Sequence, residues 1–282
     1  MAKKYQGKVE TLKGAALIME RLYQTGIYQG HKSAKKHLED LSQSIKGRIL
    51  EDEMRREFKQ LGVVAKYQRM PVYETDWEGL MDYLSDLGIL IPLLQVDVDK
   101  LKEDPELHQT ITTHFQNPIE QYIRMTPNKQ GKVSVVPLEV TDLETEQLAT
   151  LWLDTKRKFQ TFDSYLEHGK IHMRNCPLLK KARKVSCNYG SVSLLDKDPT
   201  FNNRAIMEEY GVDMLKEIGK INMQSLDEYI QKGFISPNEI KQFRKVKDIQ
   251  LRFIVQELAS EDRQFQMFYR KLQQASANRQ IG

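Results

Sequence analysis

The chain has 282 residues, a formal net charge of +4, and 40% hydrophobic and 29% charged residues. Such a chain is globular, forms one large or two modest domains, and needs no disulfide or metal to fold. Two cysteines exclude a disulfide framework, and the small net charge means that only local clustering of cations could indicate a polyanion partner.

The sequence gives no indication of a secreted or membrane protein. The first ten residues, MAKKYQGKVE, have no apolar run, so we predict no signal peptide. The most apolar stretch, residues 88–94, is much shorter than the ~20 residues that a membrane-spanning helix needs. We therefore predict a cytoplasmic protein with no membrane contact.

Residues 1–118 form the first predicted region, and it is helical. Apolar residues at helical spacing predict one helix over residues 12–28 and a second over residues 38–58, ending near Gly62. A short extended segment follows, and Thr75 or Asp76 is predicted to cap another helix that ends at Gly88.

Residues 119–200 form a predicted central α+β module. Residues 119–125 and 133–138 read as two strands of a hairpin, because β-branched residues flank a turn of Asn and Gly type. A long helix is predicted from residue 142 to residue 166, and strands are predicted at residues 184–188 and 191–195. The β element would thus be built from residues 122–138 and 183–195.

Residues 201–282 form the third predicted region, which is again helical. The strongest helix start in the chain is Ser236-Pro-Asn-Glu239, a capping box with proline at the first helical position. We predict a helix from there through Leu258, continuing towards Leu272. The predicted fold class is mainly α with a small β element, with helical N- and C-terminal regions on either side of a central β-hairpin/helix/strand module.

The segment from His168 to Gly190 concentrates the unusual chemistry of the chain. It contains both cysteines, two of the six histidines and a cluster of cations next to one acid, Glu167. Clustered cations neutralise phosphates, and aromatic side chains stack on bases. The residues that we predict to contact nucleic acid are Lys170, Arg174, Lys180, Lys181, Arg183, Lys184 and Tyr189.

The sequence also contains residues of two other kinds of site. His168, His172, Cys176 and Cys187 could hold zinc, but the Cys187 side lacks a second nearby ligand, and we predict no metal site and no cofactor. Asp97, Asp99 and Asp154 could hold a divalent metal in an enzyme that acts on nucleic acid. The chain has no phosphate-binding glycine loop, dinucleotide fingerprint, zinc-protease motif or nucleophile elbow, and we predict no catalytic residue.

These observations favour a non-enzymatic subunit of a larger intracellular assembly that contacts nucleic acid through a basic patch. Its partners would be nucleic acid and other protein subunits, and the sequence does not specify a small-molecule ligand. The helical, basic character would suit a phage or mobile-element protein. The metal-dependent enzyme on nucleic acid and a pure protein–protein adaptor or structural protein remain the alternatives.

Overall fold

The computed structural model describes residues 13–49 and 53–281, with the backbone alone described at residues 271, 272 and 274–281. Helix makes up about 55% and strand about 22% of the fold, in three small sheets, so the protein is mixed α+β. In the described ranges no helix is both long enough and apolar enough to cross a bilayer.

The helices of the described residues, in chain order, are α1 (Gly14–Gln24), α2 (Ile27–Lys46), α3 (Trp77–Asp86), α4 (Leu90–Leu93), α5 (Val98–Leu101), α6 (Pro105–Phe115), α7 (Thr145–Arg174), α8 (Pro177–Ala182), α9 (Asn203–Ile218), α10 (Met223–Gln231), α11 (Pro237–Ile240) and α12 (Leu258–Ile281). The strands are β1 (Arg55–Phe58), β2 (Val63–Thr75), β3 (Leu94–Val96), β4 (Gln121–Pro127), β5 (Lys184–Cys187), β6 (Gly190–Asp196), β7 (Gly219–Ile221) and β8 (Arg244–Glu257). They form sheets with the strand orders β1-β2-β8, β3-β7 and β4-β6-β5, and every pairing is antiparallel.

The chain divides into two compact units, each made of two separate segments. Unit 1 comprises the described part of Met1–Glu51 together with Glu120–Lys197, and unit 2 comprises the described part of Asp52–Ile119 together with Asp198–Gly282. Two of these breaks lie within three residues of the predicted boundaries at 118/119 and 200/201. The remaining break divides the predicted N-terminal region between the two units.

Unit 1 is built on the antiparallel helices α2 and α7. Trp152 of α7 donates from Nε1 to Ser42 Oγ at 3.2 Å, and His31 of α2 lies 3.0 Å from the Asp163 carboxylate. The sheet β4-β6-β5 packs on an apolar core that includes side chains of α1, α7 and α8. The predicted α7 is confirmed and extends eight residues beyond the predicted end at Leu166.

Unit 2 has an apolar core formed by side chains of its short helices and of the sheet β3-β7. Its other sheet is dominated by β2 and β8, which pair along 13 residues of β2 with a bulge between Val72 and Tyr73. Only the start of β2, at Val63, Val64 and Ala65, is fully buried.

Three predictions of secondary structure are wrong. The helix over residues 38–58 ends at Lys46, and residues 55–58 form β1; the predicted Leu50 position lies outside the described residues. Residues 133–138 form no strand, and β4 pairs with β6 instead. The helix predicted beyond Ser236 lasts one turn, and residues 244–257 form β8.

The first and third errors share a physical cause, because helix and strand periods are hard to distinguish over short apolar runs. In β8 the residues Ile249, Leu251 and Phe253 alternate with Asp248, Gln250 and Arg252, which is the period of a strand. The capping box at Ser236 nevertheless exists as predicted, with the Glu239 side chain accepting from the Ser236 N–H at 3.2 Å. A cap determines where a helix begins, but not how far it continues.

Candidate nucleic-acid interface

The sheet of unit 1 has one buried face and one exposed face. Ile123 of β4 and Val192 and Leu194 of β6 are buried against α1, α7 and α8. Since successive side chains of a strand point to opposite faces, the alternate residues of each strand face away from the helices. This second face is termed the outer sheet face, and it consists of Tyr122, Arg124 and Thr126 of β4, Ser191, Ser193 and Leu195 of β6, and Lys184 and Ser186 of β5.

The strand register brings two cations into one row of the outer sheet face. Ser193 lies opposite Arg124 on one side and opposite Lys184 on the other. Both cations are exposed, and they stand about two strand spacings apart, or roughly 10 Å. In the next row Ser191 lies between Thr126 and Ser186, so three hydroxyl groups adjoin the cations. None of these residues is acidic.

A groove of about 250 Å³ adjoins the outer sheet face at the edge of β4. Its lining includes Tyr122 and Ile123 of β4 and Lys170, Ile171 and Arg174 near the end of α7, together with Glu167. Lys170 donates to Glu167 at 2.5 Å, and the residue Tyr122 is 42% exposed. The groove therefore combines an accessible aromatic ring with two of the cations predicted from the sequence.

One acid, Glu120, lies close to Arg174 and Lys197. Lys197, which donates to Glu120 at 2.7 Å, lowers the pKa of this carboxyl group, and the positive charge of Arg174 lowers it further. Glu120 therefore interacts with both cations, and its hydrogen-bonded partner is Lys197.

The other predicted cations occupy the short helix α8 and its end. Lys180 and Lys181 are exposed, and among the described residues neither forms an ion pair. Arg183 ends the helix in a left-handed conformation (φ 61°) and binds Asp196 at 2.7 Å. This ion pair lowers the pKa of Asp196, with the Arg183 hydrogen bond as its largest cause. Arg183 therefore links the start of β5 to the end of β6 as well as contributing charge.

Tyr189 lies in the turn between β5 and β6, away from the rows of cations. Its ring stacks on Tyr23 with centroids 4.8 Å apart and planes 3° apart. The preceding Asn188 donates from its backbone and its side chain to the buried Glu20, at 3.1 and 2.8 Å. One face of the Tyr189 ring is therefore occupied by the protein, whereas Tyr122 is more accessible.

The residues of the zinc alternative do not converge. His168 and His172 have their Nε2 atoms 3.0 Å apart on α7, while the buried Cys176 Sγ accepts from the Ala15 N–H at 3.4 Å. Burial raises the pKa of Cys187, which disfavours the thiolate that binds zinc. Among the described residues no three His, Cys, Asp or Glu side chains form a group able to hold a metal.

The acids of the enzyme alternative have structural contacts. Asp97 begins α5 by accepting from the Asp99 N–H at 3.1 Å, and it also pairs with Lys220 at 3.3 Å. Asp99 pairs with Lys102 at 3.1 Å. Asp154 is exposed on α7, which belongs to the other unit.

Sequence reasoning missed Tyr122 and Arg124 as members of this surface. They lie outside the segment from His168 to Gly190, and only the pairing of β4 with β6 brings Arg124 into the row of Lys184. The signal was present in the alternation of Tyr122, Arg124 and Thr126 with the apolar Ile123 and Met125. No family model, curated protein or solved structure matches the chain.

Proposed function

We propose that this protein is a non-enzymatic, cytoplasmic subunit of a larger assembly and that it contacts a nucleic-acid strand through unit 1. The contact surface comprises the outer sheet face and the groove beside β4. The observation that carries the proposal is the row of Arg124, Ser193 and Lys184 beside the exposed Tyr122 ring.

The chemistry of this surface suits a phosphate backbone with accessible bases. Arg124, Lys184 and Arg174 supply positive charge, and Lys170 adds its charge where a phosphate replaces its partner Glu167. Serine and threonine hydroxyls are common donors to phosphate oxygens. An exposed tyrosine gives a stacking platform that any base can use. A sheet face with one exposed aromatic ring suits a single strand better than a duplex, whose bases are already stacked. We therefore expect sequence-tolerant binding of single strands.

The test is fluorescence anisotropy with a labelled single strand over a series of salt concentrations. If four cations contact phosphates, log K falls against log[salt] with a slope of about −3. The double variant Arg124→Ala/Lys184→Ala removes two of these contacts, so the slope becomes shallower by about 1.4 and affinity falls about 25-fold at 0.1 M salt. Tyr122→Ala weakens binding but leaves the slope unchanged, because it removes stacking and no charge.

The matched control is Lys35→Ala/Lys46→Ala, which removes the same charge from exposed positions of α2 in the same unit. We expect a much smaller loss of affinity in this variant. A flat salt response, or equal losses in the two double variants, would contradict the proposal and favour a protein–protein adaptor. Cleavage of the strand with Mg²⁺ that Asp97→Ala or Asp154→Ala abolishes would replace it with the enzyme alternative.

A further inference from the structure

The β2–β8 ribbon of unit 2 has an unusually exposed edge strand. Within the described residues β8 pairs with β2 and with no other strand, and all residues from Lys245 to Arg252 are exposed. Such an edge presents alternate backbone N–H and C=O groups that can hydrogen-bond to another strand. One of these groups, the Ile249 N–H, donates to the Asp248 carboxylate of its own chain, a contact that it would exchange for a carbonyl of the joining strand. Ile249 and Leu251 are 53% and 55% exposed and lie on one face of the ribbon.

The opposite edge of the ribbon is protected against such pairing. β1 covers β2 at Val63–Lys66, and Pro71 lies in the part of β2 that remains. Because the ladder to β8 is intact at this position, the Pro71 nitrogen, which has no hydrogen, faces the open edge. β8 has no proline, so it is the edge that another strand can join.

Two opposite charges on β8 have no ion-pair partner among the described residues, although the Asp248 carboxylate accepts from the adjacent Ile249 N–H at 2.8 Å. Asp248 and Arg252 face the same side of the ribbon, because they lie opposite Val72 and Gln68 of β2. Four residues of strand separate them by about 13 Å, so they cannot pair with each other. Neither forms an ion pair with any residue that the structure describes.

We propose that β8 pairs antiparallel with β8 of a second copy of this chain, about a two-fold axis at Gln250. Asp248 then faces Arg252 of the second copy, Ile249 faces Leu251, and two-fold symmetry forms each contact twice. Residues that face each other across two strands must lie on the same side of the sheet. Among registers that satisfy this condition, moving two residues either way places Asp248 opposite Gln250 or Ile254, where it meets no cation.

This register needs only the five residues Asp248–Arg252, which lie beyond the bulge at Val72/Tyr73. It joins the two sheets into one continuous sheet of six strands and removes both exposed β8 edges. A short edge contact of this kind supports a dimer that dissociates at about micromolar concentrations. The inference is independent of the proposed nucleic-acid contact, which involves only unit 1.

The experiment is sedimentation equilibrium of the full chain with charge-reversal variants. Wild type is expected to be a dimer that dissociates on dilution. Asp248→Arg gives two Arg–Arg contacts across the axis, and Arg252→Asp gives two Asp–Asp contacts. Each single variant therefore dimerises at least about tenfold more weakly. Both positions are exposed, so neither change affects the core.

A mixture of the two single variants tests the proposed register directly. When the two single variants are combined, each Arg again faces an Asp, so a heterodimer forms although neither variant dimerises well alone. The double variant Asp248→Arg/Arg252→Asp also dimerises like wild type. Glu103→Arg, a reversal at an exposed position of unit 2 far from β8 in sequence, leaves dimerisation unchanged.

Three results would overturn the proposal. Wild type could remain a monomer at every concentration tested, or the single reversals could leave the dimer as strong as before. The mixture of single variants could also fail to associate while wild type dimerises, which would exclude this register.

Discussion

Glu261 connects three elements of unit 2 through one buried carboxylate. It lies in the first turn of α12 with 4% of its side chain exposed, and it accepts two hydrogen bonds from Arg55 of β1, at 2.8 and 2.7 Å. Lys66 of β2 forms a further ion pair with it. The hydrogen bonds from Arg55, opposed by burial and supported by Lys66, hold the pKa of Glu261 at about 2, against an ordinary value of 4.5.

Because the pKa of Glu261 is lower in the folded state, its ionised carboxylate contributes to the free energy of unfolding. A depression of about 2.5 pKa units corresponds to at most about 3.4 kcal/mol. Arg55 is 39% exposed, so solvent screens part of the interaction, and we expect about 2 kcal/mol. Because the pKa is lower in the folded state, this stability is fully present above about pH 4.5 and is lost as the pH falls towards 2.

The variant Glu261→Gln tests this reasoning. At pH 7 its free energy of unfolding should be about 2 kcal/mol lower than that of wild type. Urea denaturation monitored by circular dichroism measures this difference. The difference should shrink between pH 5 and pH 2. Hydrogen exchange should locate the loss in β1, β2 and α12, with peptides of unit 1 unchanged.

Glu57→Gln is the matched control, because Glu57 pairs with the same Arg55 at 2.7 Å but is 33% exposed. We expect this variant to lose less than about 1 kcal/mol. Equal losses in the two variants, or a Glu261→Gln effect that does not change with pH, would refute the account of the buried carboxylate.

Two substitutions of glycine test the packing of unit 1. Gly30→Ala would place a Cβ 2.5 Å from the Phe162 ring where α2 meets α7, so we expect a loss of about 1 kcal/mol in thermal or urea unfolding, although alanine normally favours a helix. Gly47→Ala, whose Cβ meets only ordinary contacts, should be neutral or stabilising, and a similar loss there would contradict this reasoning. Gly190→Ala, at φ 149°, would place a Cβ 2.2 Å from the Thr126 carbonyl oxygen. We expect it to destabilise the β4–β6 pairing by about 2–3 kcal/mol. Hydrogen exchange of the β4 amides measures this effect, and amides that stay as protected as in wild type would contradict the expectation.

Local signals in the sequence determined where many helices begin and end. Asp76 caps α3 by accepting from the Gly79 N–H at 3.0 Å, and Gly88 follows the helix with φ 69°, both as predicted. The capping box at Ser236 also forms. These features depend on residues three or four positions apart, so the sequence alone specifies them.

The partners of the strands were decided only by tertiary structure. β4 takes β6 as its partner across about 70 residues of chain, and β2 takes β8 across about 180, whereas the nearby residues 133–138 form no strand. A strand gains its hydrogen bonds from whichever strand the fold brings beside it, and a periodic pattern does not identify that neighbour.

The candidate nucleic-acid surface shows the same division. The sequence identified a concentration of cations between His168 and Gly190, because they are close along the chain. The sheet determined which cations share a surface. It placed Arg124, from outside this segment, in the same row as Lys184, while the Tyr189 ring stacks on Tyr23. Charge density is a property of the sequence, but the spacing of charges in space depends on strand register, which long-range pairing sets.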